Sequence, residues 1–249
     1  MEKNKTKKIV KDFYGEIAKG SDSCCRICGC GDKQVNEQIA KSIGYSDEEI
    51  KPIAGANLGL GCGNPTGMAE IKEGDVVLDL GSGAGVDCFL AAKKVGASGR
   101  VIGVDMTEEM IKIARANALK YGFTNVEFKL GDIEDLPIDD DSVDVIISNC
   151  VVNLAPDKRK VFSEAYRVLK PGGRVYLSDI VLLENLSEEQ RGDEELIAGC
   201  VGGALLKDDY LQIIKDVGFR ASILSEDTGI SKRQYKGIPL ESLKVRGEK

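Results

Sequence analysis

The sequence predicts a doubly wound, mostly parallel α/β sheet of seven strands behind an N-terminal helical and loop appendage. Three observations carry that expectation. Apolar, β-branched runs alternate with helical patterns from Val76 to Val217, the signature of βαβ units and a parallel sheet. The first run, Val76-Val77-Leu78-Asp79-Leu80, passes directly into Gly81-Ser82-Gly83-Ala84-Gly85, and a glycine loop between strand and helix lets a ligand approach the backbone. Residues 1–65 show no strand pattern and read as the appendage, which leaves 66–249 for the sheet domain.

In chain order, residues 5–18 predict a helix, because Ile9, Phe13 and Ile17 recur at i, i+4 and i+8 with Tyr14 widening the stripe and Gly20 suiting the stop. Cys24, Cys25, Cys28 and Cys30 follow, loosened by Gly29 and Gly31. Residues 34–43 predict a second helix with Val35, Ile39 and Ile43 on one face, and Ser46 can cap a short third helix over 47–50. Four glycines and Pro65 predict an irregular loop over 54–65. Strands are expected at 75–80, 100–104, 126–130, 143–148 and 174–178. The helix after the second strand has Thr107 as N-cap with Glu108 and Glu109 in its first turn. A helix over 158–169 is stopped by Pro171-Gly172-Gly173. Ser187-Glu188-Glu189-Gln190 is a capping box, 208–217 is helical up to Gly218, and 221–224 and 243–245 supply the last strands.

Composition excludes several classes of function. The net charge of −7 argues against a nucleic-acid footprint, and no apolar run reaches the ~18 residues of a membrane span. The charged start, Met1-Glu2-Lys3-Asn4-Lys5, lacks the apolar core of a secretion signal, so a cytoplasmic protein is expected, and a monomer is the simplest state. There is no histidine, which removes histidine bases and histidine-ligated metals. Eight cysteines in a reducing compartment read as reactive, metal-binding or buried thiols rather than as a disulfide framework.

Open α/β sheets bind ligands beyond the carboxyl ends of their strands. That rule selects Asp79 and the loop residues Gly81, Ser82, Gly83 and Gly85 after the first strand, Asp105 and Met106 after the second, Asp132 and Ile133 after the third, and Asn149 and Cys150 after the fourth. Asp105 lies about 20 residues past the loop, where such folds set a carboxylate on ribose hydroxyls. The loop departs from the dinucleotide fingerprint, since its third glycine comes early, at Gly85, and Val86 holds the sixth position. G-x-G-x-G after V-L-D-L instead resembles the first motif of the Rossmann-like, class I methyltransferases that use S-adenosylmethionine. On that resemblance Asp105 takes the ribose, Asp132 and Ile133 the adenine edge, and Asp79 with the loop the methionine end. A solvated strand-end charge is the other reading of each acid.

The segments LGLGCGNP, VLDLGSGAGVDCFLAA, GRVIGVDMTEEM, NVEFKLGDIEDLP, SVDVIISNCVVNLAPDK, EAYRVLKPGGRVYLSD and AGCVGGAL resemble those of arsenite S-adenosylmethionine methyltransferases. The resemblance runs from the first helix to about residue 205 and is weaker beyond. It implies that Cys62, Cys150 and Cys200 bind trivalent arsenic as thiolates, with Cys200 on a substrate-covering segment at about 180–210. It implies a fourth, redox-assisting thiol at Cys24 or Cys25 and a thiol reductant such as glutathione or thioredoxin, and it leaves Cys88 as packing. Arsenic(III) is soft and suits sulfur, and a trithiolate leaves its lone pair free to take a methyl group with no proton to remove. Thiols must ionise to bind, so binding is expected to weaken as pH falls. Cys25-Arg26-Ile27-Cys28 with Cys24 and Cys30 also admits a zinc site, or a loop with no commitment. Two rival readings of the whole chain stay open: a small-molecule C- or O-methyltransferase with incidental cysteines, and a non-catalytic thiol protein that sequesters arsenic or zinc.

Overall fold

The structure, a computed structural model, describes residues 3–20 and 33–249. Cys24, Cys25, Cys28 and Cys30 therefore lie outside the described residues. Seven strands form one sheet: β1 (Val76–Leu80), β2 (Arg100–Asp105), β3 (Val126–Leu130), β4 (Val143–Asn149), β5 (Leu169–Leu182), β6 (Arg220–Asp227) and β7 (Leu240–Glu248). Their order is β3-β2-β1-β4-β5-β7-β6, with β7 antiparallel to both of its neighbours. The chain reverses direction across the sheet between β1 and β4, and a crevice opens there at the carboxyl ends. The central strands are buried on both faces, which is why they read as continuous runs of Val, Ile and Leu rather than as alternation.

One layer of helices, α5 (Val86–Val95) and α6 (Glu108–Tyr121), covers one face, and α7 (Lys158–Val168) and α10 (Lys207–Val217) cover the other. The appendage holds α1 (Lys3–Ala18), α2 (Lys33–Ser42) and α3 (Asp47–Ile50), followed by a 3-10 turn at Lys51–Ala56. Val10, Ala40, Ile43, Ile50 and Ile53 join the same apolar cluster as Phe89, Ala91 and Ala114, so the appendage packs on the sheet layer instead of standing off it. The capping box at Ser46 forms with Glu49. Among the described residues no helix is long and apolar enough to cross a membrane.

Several local expectations are redrawn. Residues 65–68 form a helical turn, α4 (Pro65–Met68), because Asn64 accepts from the Gly67 N–H and Pro65 suits the first helical position. Pro171-Gly172-Gly173 does not separate helix from strand. β5 already begins at Leu169, paired with Val143, and the three residues form an irregularity inside it, with Gly173 accepting from Lys249. β5 also runs on past Ser178, since Asp179 is buried opposite Leu243 rather than ending the strand. Thr107 heads α6, but its side chain makes no cap; its N–H instead donates to Asp105. The capping box at Ser187 opens α8 (Glu188–Gly192), which leads to α9 (Glu194–Ala198), and α11 (Ile230–Gln234) fills the β6–β7 connection.

Candidate active site

The glycine loop and the ends of β1, β2 and β4 border one cavity of about 200 Å³. Asp79, Gly81, Ser82, Gly83, Asp105, Met106, Asp132, Ile133 and Asn149 all line it. Gly85 does not; it has a positive φ of 98° and starts α5 against Phe89 and Phe128. A Cβ at Gly83 would point into open space, as expected of a backbone left bare for a ligand. The Gly83 N–H donates to Asp105 Oδ2 at 3.0 Å, and the Thr107 N–H donates to its Oδ1 at 2.8 Å. Burial nevertheless raises the Asp105 pKa above the usual carboxylate value. Asp79 is pushed well up, first by burial and then by the nearby Asp87. Cys88 is fully buried in the core, and its thiol donates to Asp79 Oδ2 at 3.2 Å.

The thiols meet at the same cavity. Cys150 follows β4 directly and lines the cavity, as does Cys200, which follows α9. Both residues have positive φ, 60° and 67°, which is uncommon without glycine. The Cys200 thiol donates to the Cys150 carbonyl at 2.7 Å, and the Cys150 sulfur lies 4.0 Å from the Tyr235 hydroxyl. Cys62 sits one layer back, with its thiol donating to the Ser178 carbonyl at 3.4 Å. Hydrogen bonds from Cys200 and Cys62 hold Cys150 well below the ordinary thiol pKa. The cost falls on its neighbours: burial and then Cys150 push Cys62 up, and Cys150 and then burial push Cys200 up. Cys150 is thus the first of the trio to ionise. Among the described residues no group of three or more cysteine or acidic side chains forms a ready-made metal cage, so the thiols would have to turn to enclose an ion.

Several site residues carry little sequence signal. α1 roofs the cavity with Lys7, Val10, Phe13 and Tyr14; Lys7 Nζ bonds Asp132 and Glu134, both at 2.6 Å, and the Tyr14 hydroxyl donates to the Ala198 carbonyl at 3.2 Å. Gln234 and Tyr235 line the thiol end from α11 and its C-cap, in a tail whose sequence pattern predicts little. Tyr45 and Asp87 also line the cavity, with the Tyr45 hydroxyl donating to Asp87 at 2.8 Å. An acid at the start of the otherwise apolar run Val86–Ala92 is the one clue that could have marked Asp87.

A doubly wound sheet with β7 inserted antiparallel, a glycine loop at the switch point and acids at successive strand ends define a nucleotide-using methyltransferase of the class I fold. Residues 71–218 match the family described as "Methyltransferase domain". The chain is 47% identical over 225 residues to an arsenite methyltransferase of Halobacterium salinarum, covering 87% of this chain and 58% of that protein. It is 41% identical to the arsenite methyltransferase of Aquipseudomonas alcaligenes, over 89% of this chain and 64% of that one. The crystal structure of an arsenic(III) S-adenosylmethionine methyltransferase from Chlamydomonas reinhardtii superimposes with a TM-score of 0.66 at 34% identity, covering 84% of this chain and 72% of that one. The chain belongs to the arsenite methyltransferase family. It spans about three fifths of the length of the curated relatives it matches.

Proposed function

We propose that this protein transfers a methyl group from S-adenosylmethionine to arsenite held by Cys62, Cys150 and Cys200. The observation that carries the reading is the opening of the glycine loop and of the thiol pair Cys150 and Cys200 onto one cavity. The residues fit the cofactor: Gly83 leaves backbone bare and Asp105 offers a carboxylate for ribose hydroxyls, while Asp132 and Ile133 would border the adenine and Asp79 with Gly81 and Ser82 the methionine. When bound, S-adenosylmethionine supplies a sulfonium methyl that a lone pair accepts without proton transfer.

The protein's share of the chemistry follows from its groups. Arsenous acid and three thiols give a trithiolate and three waters, and Cys150, the most acidic of the trio, is the first sulfur to bond. Three sulfurs leave the arsenic lone pair unshared, so no general base is needed, in keeping with a chain that has no histidine. α1 and the apolar residues Val10 and Phe13 roof the site and keep out water. Methylation takes arsenic formally from +3 to +5. Two thiolates that leave as a disulfide return two electrons to it, and a thiol reductant such as glutathione or thioredoxin restores them. Cys24 or Cys25, outside the described residues, is assigned the redox-assisting role. The physiological setting that suits this chemistry is arsenic detoxification in the cytoplasm, with the chain working as a monomer.

The test is product analysis with arsenite, S-adenosylmethionine and a thiol reductant. Methylarsenicals are expected from the wild type and not from Cys150→Ser or Cys200→Ser. Tight arsenite binding without product would point to sequestration instead.

A further inference from the structure

Cys62 owes its place to a partly buried polar chain that begins on α5. Its backbone is held on both sides: the Cys62 N–H donates to Asn149 Oδ1 at 3.0 Å, and Ser242 Oγ donates to the Cys62 carbonyl at 2.7 Å. Asn149 Nδ2 donates to the Gly63 carbonyl at 2.7 Å, so one amide grips two consecutive residues. The fit is close. Gly61 has φ +113°, and a Cβ there would lie 2.8 Å from Asn149 Nδ2.

An amide has a donor end and an acceptor end, and the grip works in one orientation only. On the Nδ2 side stand the Tyr45 hydroxyl oxygen at 3.0 Å and Asp87 Oδ2 at 3.4 Å. Asp87 is itself held by Tyr45, at 2.8 and 3.0 Å, and by Thr66 Oγ1 at 3.4 Å. Among the described residues it makes no ion pair, although it is buried. A flipped amide would set Oδ1 against the Asp87 oxygens and the Gly63 carbonyl, and Nδ2 against the Cys62 N–H. Both contacts are repulsive and partly buried.

We propose that Asp87 is a positioning residue for Cys62: with Tyr45 it fixes the Asn149 amide, which presents the Cys62 thiol as the third arsenic ligand. The inference rests on the reading of Cys62, Cys150 and Cys200 as the arsenic ligands. It assigns Asp87 to the acceptor side of the reaction, although the residue lies just past the loop that cradles the donor.

Arsenic X-ray absorption on the full chain loaded with arsenite counts the sulfurs bound to the ion. The wild type is expected to show three, and Cys62→Ser two sulfurs and one oxygen. Asp87→Ala and Asn149→Ala are each expected to match Cys62→Ser, and the double variant to be no worse than either single one. Three sulfurs in Asp87→Ala would overturn the proposal while leaving the ligand reading intact; three sulfurs in Cys62→Ser would overturn both. Should Asp87→Ala fail to fold, Tyr45→Phe removes a single hydroxyl. Its arsenite dissociation constant is expected to rise about three- to tenfold, and an unchanged constant would overturn the proposal equally.

Discussion

The thiol of Cys200 donates to the backbone carbonyl of Cys150 across 2.7 Å, and both residues hold left-handed backbone conformations. A side chain in that region costs about 1 kcal/mol relative to glycine. The two cysteines are therefore placed where the fold alone would favour glycine, which is the mark of a functional position.

A stability comparison follows. Cys200→Gly and Cys200→Ala both remove the thiol, but only glycine relieves the backbone. Chemical denaturation is expected to find the glycine variant about 1 kcal/mol more stable than the alanine variant, against the usual order. Alanine above glycine would mean that the positive φ carries no strain.

The low Cys150 value leads to a pH prediction opposite in sign to that for three ordinary thiols. Cys150 is held well below the ordinary thiol value by hydrogen bonds from Cys200 and Cys62, which favours one thiolate and two thiols as the state that meets arsenite. Arsenous acid then needs one proton from solution to leave as three waters. Arsenite binding should take up about one proton and tighten up to about tenfold per pH unit of acidification, until Cys150 is protonated. Calorimetry in buffers of different ionisation enthalpy reads the proton directly; release instead of uptake would contradict the assignment of the charge.

Asp87 ties stability to pH in a definite direction. Burial, the leading cause, raises its pKa from 3.8 to about 6, against hydrogen bonds from Tyr45, Asn149 and Thr66 that pull it down. A carboxyl raised in the folded state binds more protons there than in the unfolded chain. Its contribution to stability is therefore present at low pH and is lost as pH rises through about 6. Measured by urea unfolding, the wild type should gain on Asp87→Asn by about 2 kcal/mol between neutral pH and about pH 4. A constant difference across that range would place the Asp87 pKa at an ordinary value.

Lys7 spans from the roof helix to Asp132 and the buried Glu134. Lys7→Met leaves two acids facing each other beneath α1. In steady-state kinetics the KM for S-adenosylmethionine should rise about three- to tenfold, with kcat changed less, because the cleft loosens on its adenine side. An unchanged KM would show that the ion pair serves the fold alone.

The sequence made the glycine-loop part of the cavity readable and the thiol part only partly so. Asp79, Gly83 and Asp105 stand at strand ends, and strand ends can be found from apolar periodicity and a glycine loop. Cys150 was accessible by the same rule, as the residue after β4. The grip of Asn149 on Cys62 spans 87 residues, and the Tyr45–Asp87 bond spans 42; no periodicity encodes such partners. Tyr235 enters the site through α11, where the sequence pattern predicts little. Pro171-Gly172-Gly173 misled for a local reason: turn residues are also what an irregularity within a strand requires, and pairing of Leu169 with Val143 decides between them.

The most direct test of the account is a single turnover. Protein preloaded with one equivalent of arsenite is mixed with one equivalent of S-adenosylmethionine carrying a labelled methyl group, with no reductant added. The account predicts one labelled methyl on arsenic per chain, matched by one S-adenosylhomocysteine, and none on arsenic in Cys150→Ser. S-adenosylhomocysteine formed without methylated arsenic, or methylated arsenic formed equally by Cys150→Ser, would contradict it.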